Sequence, residues 1–293
     1  MSGENSYEVN GATNNALHQN VQSNGTMISN SPASDSEPYD LICVGFGPAS
    51  LAIAVALHDT LATSSSPQTP PRVLYLERQP TFKWHGGMLL PSARMQISFL
   101  KDLATLRNPQ SKFTFLNYLH SVGRLVQFVN LSTFLPLREE YNEYMTWCAK
   151  HFEADVRYGR ETTAIDPIYA PNGEKGQSKV HQWRVTSRDI STNETTTVSA
   201  RHVVIAVGGR PKIPPSLTDE SEDSPIVHSS SYRTIVPKML DSQKGRRRRR
   251  VAVVGGGQSA AEIFNDLTVS FADAEVRMYT GDSALRPSDD SPL

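Results

Sequence analysis

The chain has 293 residues, which at roughly 150 residues per domain predicts about two domains. Its 29 Lys and Arg against 30 Asp and Glu give a formal net charge of -1, so no global field attracts it to nucleic acid or to anionic lipid. The longest apolar run, 41–57, is interrupted by Gly45, Gly47 and Pro48 and falls short of the ~20 residues that a membrane helix needs. We therefore expect no nucleic-acid partner and no membrane partner.

Two cysteines, Cys43 and Cys148, are too few for a disulfide framework, and neither belongs to a C-x-x-C pair that could hold zinc or exchange disulfides. No metal site is expected. The N-terminus lacks the charged-then-apolar pattern of a secretory signal. These features predict a reducing compartment, and with it a cytoplasmic location.

Residues 1–37 are rich in Asn, Ser and Gly and have almost no aromatic side chains, which predicts a disordered tail. They contain no Arg, so their composition argues against a mitochondrial presequence. The remainder of the chain is predicted to fold as two domains, 38–215 and 216–293.

The folded region opens with a strand, a glycine-rich turn and a helix. The strand 40–44 leads into GFGPAS at 45–50 and then into an Ala- and Leu-rich helix that extends to about Leu61. A second strand, 72–76, ends at Glu77. This order of elements is typical of a dinucleotide-binding β–α–β unit.

Four residues of this unit fit the chemistry of dinucleotide binding. Gly45 suits the positive φ of the tight turn, and Gly47 leaves room for a diphosphate at the start of the helix. Ser50 replaces the third glycine and is small enough for the contact between helix and strand. Glu77 stands where a carboxylate accepts ribose hydroxyls. The alternative is a β–α turn that binds no nucleotide.

The middle of the chain predicts one helix and three extended runs. The helix follows Pro136, and the side chains on its apolar face are predicted to pack in the core: Tyr141, Tyr144, Met145, Cys148 and Phe152. The extended runs lie near 155–165, 180–188 and 194–207. Their order predicts a small antiparallel meander that returns to the main sheet.

The strand–turn–helix pattern then occurs a second time, after polar connections at 216–224 and around 238–245. The strand is 250–254, the turn is GGGQSA at 255–260, and a helix to about residue 268 precedes a strand at 275–280. The prediction is an α/β, two-dinucleotide-binding (Rossmann-like) flavoprotein with an incomplete second nucleotide domain. One site would hold FAD and the other a nicotinamide cofactor.

Six sequence blocks resemble the fungal L-ornithine N5-monooxygenases of siderophore biosynthesis. They are GFGPAS at 45–50, KWH at 83–85, MQISFLKDLATLRNP at 95–109, VHSSSY at 227–232, GGGQSAAE at 255–262 and RPSDDSP at 286–292. The resemblance extends from about residue 38 to residue 293. The third and sixth blocks are not generic to nucleotide-binding folds.

The resemblance implies an N-hydroxylating monooxygenase that uses FAD and NADPH. In this family NADPH reduces FAD, O2 adds at the flavin C4a position, and the hydroperoxyflavin transfers oxygen to the neutral side-chain amine of L-ornithine. The protein keeps that hydroperoxide dry and positions the amine. Lysine or another amine is the alternative substrate. A homotetramer is implied by the same analogy.

On the flavin and substrate side, the resemblance implies roles for five residues. Lys101 binds the substrate carboxylate, Gln96 lies beside the flavin, and the backbone around Thr162 contacts the adenine. Trp84 and His85 close over the FAD. Without the resemblance, Lys101 is typical of a solvated lysine, Trp84 of a packed aromatic residue and His85 of a core histidine.

On the nicotinamide side, the glycine turn is expected to contact the NADPH diphosphate through Gly255, Gly256, Gly257, Gln258 and Ser259. Arg138 resembles an arginine near the path of this cofactor; the alternative is an exposed charge in the first turn of its helix. The family tends to place an arginine for the 2′-phosphate after the second strand. This chain has YTGD at 279–282 instead, which leaves Arg277 or Arg286 as substitutes.

The family also carries a substrate-binding Asn and an Ala-Thr-Gly block that this sequence lacks, so the chain is interpreted as a C-terminally truncated monooxygenase. The alternative function is a catalytically incompetent flavin-binding fragment. A pyridine nucleotide-disulfide reductase would need a pair of cysteines beside the flavin, which is absent. The five arginines at 246–250 are interpreted as a solvated loop rather than a nuclear address or nucleic-acid patch.

Overall fold

The computed structural model describes residues 37–64, 69–170, 179–217, 225–242 and 249–281. The predicted tail, apart from its last residue, and the RPSDDSP block lie outside these ranges, as does most of the arginine run. Within the described ranges, no helix has the length and apolar character needed to cross a bilayer.

A six-stranded sheet forms the centre of the first unit. Its strands are β1 Tyr39–Val44, β2 Val73–Leu76, β3 Val156–Arg157, β4 Arg160–Tyr169, β5 Val180–Asp189 and β6 Thr195–Ile205. They lie in the order β3-β2-β1-β6-β5-β4, with the first four strands parallel and β6, β5 and β4 antiparallel. The mixed α/β sheet and the antiparallel meander are confirmed.

The predicted extended run at 155–165 is two strands rather than one. Gly159 has φ +68, a left-handed conformation that favours glycine, and it turns the chain between β3 and β4. β3 and β4 lie at opposite ends of the strand order, so the sheet has to curl for so short a turn to join them. The Arg160 N–H accordingly donates to the carbonyl of Glu77, at the end of β2, at 2.9 Å.

Four helices accompany this sheet: α1 Pro48–Thr63, α2 Phe115–Ser121, α3 Leu125–Asn130 and α4 Arg138–Lys150. The predicted apolar face of α4 is confirmed, because Tyr141, Tyr144, Met145 and Cys148 are buried together with Phe152 in one cluster. Burial raises the pKa of the Cys43 thiol to about 11 and also raises that of Cys148. Both cysteines are free, so they serve as small core residues.

The second unit is the predicted strand–turn–helix–strand pattern. It consists of β7 Arg250–Val254, α6 Gln258–Ser270 and β8 Glu275–Tyr279, and the two strands pair in parallel. Apolar side chains of α6 and β7, Ile263, Leu267 and Val253, pack in one cluster with Met88 and Leu90 of the first unit. Both glycine turns therefore belong to one packed body.

Helix α5 spans Tyr232–Ser242. The prediction of a polar connection around residues 238–245 is therefore wrong for residues 238–242. The helix contains Pro237, which is unfavourable inside a helix because it removes a backbone donor. Tyr232 and Leu240 are 2% and 5% exposed and pack in the same cluster as α6, and this burial outweighs the local penalty.

The interpretation of the arginine run as a solvated loop is wrong for Arg249, which is buried. Its guanidinium pairs with Asp273, donates to the Leu240 carbonyl at 2.9 Å and lies over the Phe271 ring. An arginine can be buried when its fixed fork of donors is satisfied in this way. Arg249 thus joins α5 to the loop before β8.

Candidate functional site

The first glycine turn leaves no space for a side chain at its first position. Gly45 has φ +92, as predicted, and a Cβ built on it would lie 2.5 Å from the Ala206 carbonyl oxygen. That oxygen belongs to the backbone that follows β6, so it cannot move aside as a flexible side chain could. Gly45 is needed both for its conformation and for this close approach.

The second glycine of the turn has open space beside it. Gly47 is the N-cap of α1 with φ -89, and a Cβ built there meets no atom within 4 Å among the described residues. No described side chain caps this helix, and Pro48 occupies its first position. The first-turn N–H groups have no intrahelical acceptor, so the space beside Gly47 fits a diphosphate.

Ser50 and Glu77 hold the turn in place. The Ser50 hydroxyl, fully buried, donates to the Gly45 carbonyl at 2.7 Å. One oxygen of the Glu77 carboxylate accepts the Phe46 N–H at 2.7 Å, and the other accepts the Gln79 N–H at 2.8 Å. Because each carboxylate oxygen can accept a second hydrogen bond, Glu77 retains capacity for ribose hydroxyls.

Trp84 and His85 lie beside α4. The backbone N–H of Trp84 donates to the side-chain oxygen of Asn142 at 3.0 Å. The centre of the indole ring is 5.0 Å from that of the His85 ring and 6.1 Å from that of the Tyr141 ring. His85 is exposed and has a left-handed backbone with φ +46. Desolvation of the imidazole and the nearby Arg138 both lower its pKa, which favours the neutral form.

Thr162 lies at a β-bulge in β4. The pairing with β5 shifts register between Thr162 and Ala164, and such a bulge takes backbone groups out of the ladder. The Thr162 hydroxyl is buried and has no hydrogen-bond partner among the described residues. The predicted adenine contact concerns the backbone of this bulge, because the buried hydroxyl is not accessible to a ligand.

Lys101 and Gln96 belong to the same sequence block, and both side chains are exposed. Lys101 is the last residue of a 3-10 turn, Phe99–Lys101, rather than part of an α-helix. Its backbone N–H donates to the Ser98 carbonyl at 2.9 Å. The structure therefore presents the ammonium group at the surface of the first unit.

The second glycine turn repeats the geometry of the first. Gly255 has φ +143, and its N–H donates to the Tyr279 carbonyl at 2.9 Å. Gly257 is the N-cap of α6, and among the described residues no side chain caps this helix. Gly256 is half-buried, and Ser259 in the first turn of α6 is exposed. Backbone N–H groups at this end of α6 are placed to bind a second diphosphate.

Arg138 joins the two units through a bidentate ion pair. Its two terminal nitrogens are 2.9 and 3.0 Å from the two carboxylate oxygens of Glu262, and Arg138 also donates to the Met88 carbonyl at 3.0 Å. Its side chain is 14% exposed, so it is not the exposed first-turn charge of the alternative interpretation. Glu262 also accepts a hydrogen bond from the Gln258 side chain at 2.8 Å.

A cleft of about 600 Å³ opens where the two units meet. It is lined from the first unit by Leu90, residues 92–96 and Leu135, and from α6 by Gln258, Ala261, Glu262 and Asn265. The structure thus brings Gln96 and Gln258, predicted for different cofactors, to one space. The cleft lining does not include Lys101, Trp84 or Thr162.

Sequence reasoning missed Glu262 and Asn142 as residues that hold predicted site residues in place. Glu262 is the last residue of the GGGQSAAE block, and it lies four residues after Gln258, on the same side of the helix. That spacing could have indicated the contact with Gln258. No local signal could have indicated the contact between Glu262 and Arg138.

Comparison with known proteins gives a consistent result. Residues 37–293 match the family model described as L-lysine 6-monooxygenase/L-ornithine 5-monooxygenase. An L-ornithine N(5)-monooxygenase of Arthroderma benhamiae is 52% identical over 263 residues, which are 89% of this chain and 51% of that protein. The chain spans about half the length of the curated relatives it matches.

Two solved structures share the fold. An ornithine hydroxylase from Pseudomonas aeruginosa has a TM-score of 0.75 and 41% identity, over 87% of this chain and 58% of that one. An ornithine N-hydroxylase of Kutzneria sp. 744, in a structure with reduced FAD, NADP+ and L-ornithine, has a TM-score of 0.74 and 38% identity, over 88% and 56%. On this evidence, the chain belongs to the L-lysine 6-monooxygenase/L-ornithine 5-monooxygenase family.

Proposed function

We propose that this chain supplies FAD binding, and part of NADPH binding, to an L-ornithine N5-monooxygenase of siderophore biosynthesis. The cleft between the two units carries the proposal, because Gln96 and Gln258 line the same space. Gln96 comes from the segment predicted to lie beside the flavin, and Gln258 follows the second glycine turn. Hydride transfer requires the two cofactors to meet, and a cleft lined by both units would allow this.

The first unit is proposed to hold FAD. The open space at Gly47 receives the diphosphate against the first-turn N–H groups of α1, and the remaining lone pairs of Glu77 accept the ribose hydroxyls. The bulge at Thr162 contacts the adenine, and Trp84 and His85 cover the ring system. Bound FAD supplies redox chemistry between NADPH and O2. The relative from Kutzneria sp. 744, solved with reduced FAD and NADP+, supports this assignment.

The second unit is proposed to hold NADPH. The diphosphate binds at Gly255, Gly256 and Gly257 and at the first-turn N–H groups of Gln258 and Ser259. Arg138 does not itself line the cleft, but it pairs with Glu262, which does. Of the two substitutes for a 2′-phosphate ligand, Arg277 is paired with Glu275 at 2.5 Å, and Arg286 lies outside the described residues.

L-ornithine and O2 are the proposed substrates, with Lys101 binding the amino-acid carboxylate. The names of the relatives favour ornithine, whereas the family model includes lysine as well. A homotetramer is proposed by analogy with the family. A cytoplasmic location is proposed because both cysteines are free and buried.

A second candidate function is flavin binding without hydroxylation. The geometry at Gly45, Gly47 and Glu77 concerns FAD binding alone, and the chain spans 51% of its Arthroderma benhamiae relative. The two candidates agree on FAD and differ on turnover.

A single assay series separates the two candidates. The purified protein is titrated with FAD, and the change in flavin fluorescence gives the affinity. NADPH oxidation and N5-hydroxyornithine are then measured with L-ornithine and with L-lysine. Product from ornithine supports hydroxylation, and FAD binding without product supports the second candidate. A protein that binds no FAD contradicts both.

Replacing Lys101 by Ala is expected to raise the KM for L-ornithine and to leave NADPH-dependent flavin reduction nearly unchanged. The reason is that a charge-assisted contact to the substrate carboxylate contributes ground-state binding, worth about tenfold or more in affinity. Lys150→Ala, at an exposed lysine at the end of α4 with no assigned role, is the matched control. An unchanged KM in Lys101→Ala contradicts the role of Lys101.

A further inference from the structure

Lys101 is exposed, yet the backbone that carries it is tied to the core. Its carbonyl accepts a hydrogen bond from the Tyr141 hydroxyl at 3.3 Å. Tyr141 is 5% exposed and belongs to the apolar face of α4. Burial raises the pKa of this tyrosine, so its hydroxyl remains protonated and donates.

The next residue, Asp102, binds four hydrogen-bond donors. One carboxylate oxygen accepts the N–H groups of Ala104 at 2.9 Å and Thr105 at 2.6 Å. The other accepts the Thr105 hydroxyl at 2.7 Å and the N–H of Phe115, the first residue of α2, at 2.6 Å. Asp102 therefore closes the turn that follows Lys101 and attaches it to α2.

Tyr144 makes the third connection. Its hydroxyl accepts the Leu103 N–H at 3.1 Å and donates to the Phe113 carbonyl at 2.7 Å, and the side chain is fully buried. Each of the three consecutive residues 101–103 is thus held by a hydrogen bond: the backbone of residues 101 and 103 bonds to tyrosine hydroxyls, and residue 102 bonds through its own carboxylate. Packing alone does not require these hydroxyls, because phenylalanine would fill the same positions.

We propose that Asp102 and the Tyr141 hydroxyl are positioning residues that hold the backbone of Lys101 for binding of the substrate carboxylate. A lysine side chain has a flexible stem, so much of the free energy of an ion pair is lost in ordering it. A backbone that is already fixed removes part of that cost before the substrate binds. This inference rests on the proposed role of Lys101.

The test compares Tyr141→Phe and Asp102→Asn with Tyr118→Phe in the full chain. Tyr118 is the matched control, because it packs in the same aromatic cluster, is 4% exposed, and donates to Glu143 at 3.1 Å rather than to the Lys101 segment. The first measurement is amide hydrogen exchange of residues 99–106, which requires neither cofactor nor substrate.

Both test variants are expected to accelerate exchange in that segment, whereas Tyr118→Phe leaves it unchanged. In the FAD-loaded protein, the KM for L-ornithine is expected to rise about threefold in Tyr141→Phe and about tenfold in Asp102→Asn, since a neutral hydrogen bond contributes less than a charged one. The rate of flavin reduction by NADPH is expected to stay within twofold of the parent protein, because the substitutions weaken substrate binding and do not touch the cofactors.

Unchanged exchange in both variants overturns the inference, whatever the activity of the protein. Faster exchange with an unchanged KM also overturns it, provided that Lys101→Ala raises the KM. In that case Lys101 binds the substrate without needing a fixed backbone. If Lys101→Ala has no effect on the KM, the proposed substrate contact fails and this inference fails with it. Asp102→Glu keeps the charge and is expected to recover part of the KM loss of Asp102→Asn.

Discussion

Replacing Gly45 by Ala is expected to destabilise the protein and to abolish FAD binding. The new Cβ would lie 2.5 Å from the Ala206 carbonyl oxygen and 2.9 Å from its carbonyl carbon, in a residue with φ +92. The left-handed conformation alone costs about 1–3 kcal/mol, and the backbone contact adds to it. We expect the free energy of unfolding to fall by about 3 kcal/mol or more in denaturant titrations.

Gly47→Ala is the matched control, because it adds the same methyl group to the same turn. Gly47 has an extended backbone and open space around the position of a Cβ. Its stability without FAD is expected to change by less than about 0.5 kcal/mol. Its affinity for FAD is expected to fall, since the methyl group enters the space proposed for the diphosphate. A Gly47→Ala protein with normal FAD affinity contradicts the proposed diphosphate position.

Replacing Arg138 by Met is expected to destabilise the contact between the two units. It removes a bidentate ion pair whose side chains are 14% and 19% exposed, and it leaves the Glu262 carboxylate without its cationic partner. Loss of one partner from a fully buried pair costs about 3–5 kcal/mol. Because solvent screens this pair in part, we expect about 2 kcal/mol, measured as the free energy of unfolding.

A double-mutant cycle with Glu262→Gln isolates the pair from other effects of each substitution. A coupling energy of about 1 kcal/mol or more is expected, since the two groups are in direct contact. The matched control is the pair between Arg201 and Asp40, which has the same 2.9 Å separation but is 63% and 35% exposed. Its coupling energy is expected to be below about 0.5 kcal/mol. Equal coupling energies in the two cycles would show that burial does not strengthen the Arg138 pair.

The local elements could be predicted from the sequence alone. The alternation of apolar strands with glycine turns identified β1, β2, β7 and β8 to within about one or two residues, because strand and helix periods are properties of neighbouring residues. The positive φ of Gly45 followed from the motif. The buried face of α4 followed from spacing.

Sequence alone could not predict which distant side chains meet. Arg138 and Glu262 are 124 residues apart in the sequence. They form an ion pair only because α6 packs against the first unit. Arg249 was predicted from its neighbours to be solvated, but the groups that allow its burial come from two distant segments, Leu240 of α5 and the Phe271–Asp273 loop before β8.

The sequence by itself thus determined the two β–α–β units, the glycines that their turns require and the family to which the blocks belong, because these depend on residue type and short-range spacing. Tertiary structure decided the cleft shared by Gln96 and Gln258, the ion pair that joins the units and the hydrogen bonds that hold the Lys101 backbone. Each of these depends on the relative position of elements that no local pattern encodes.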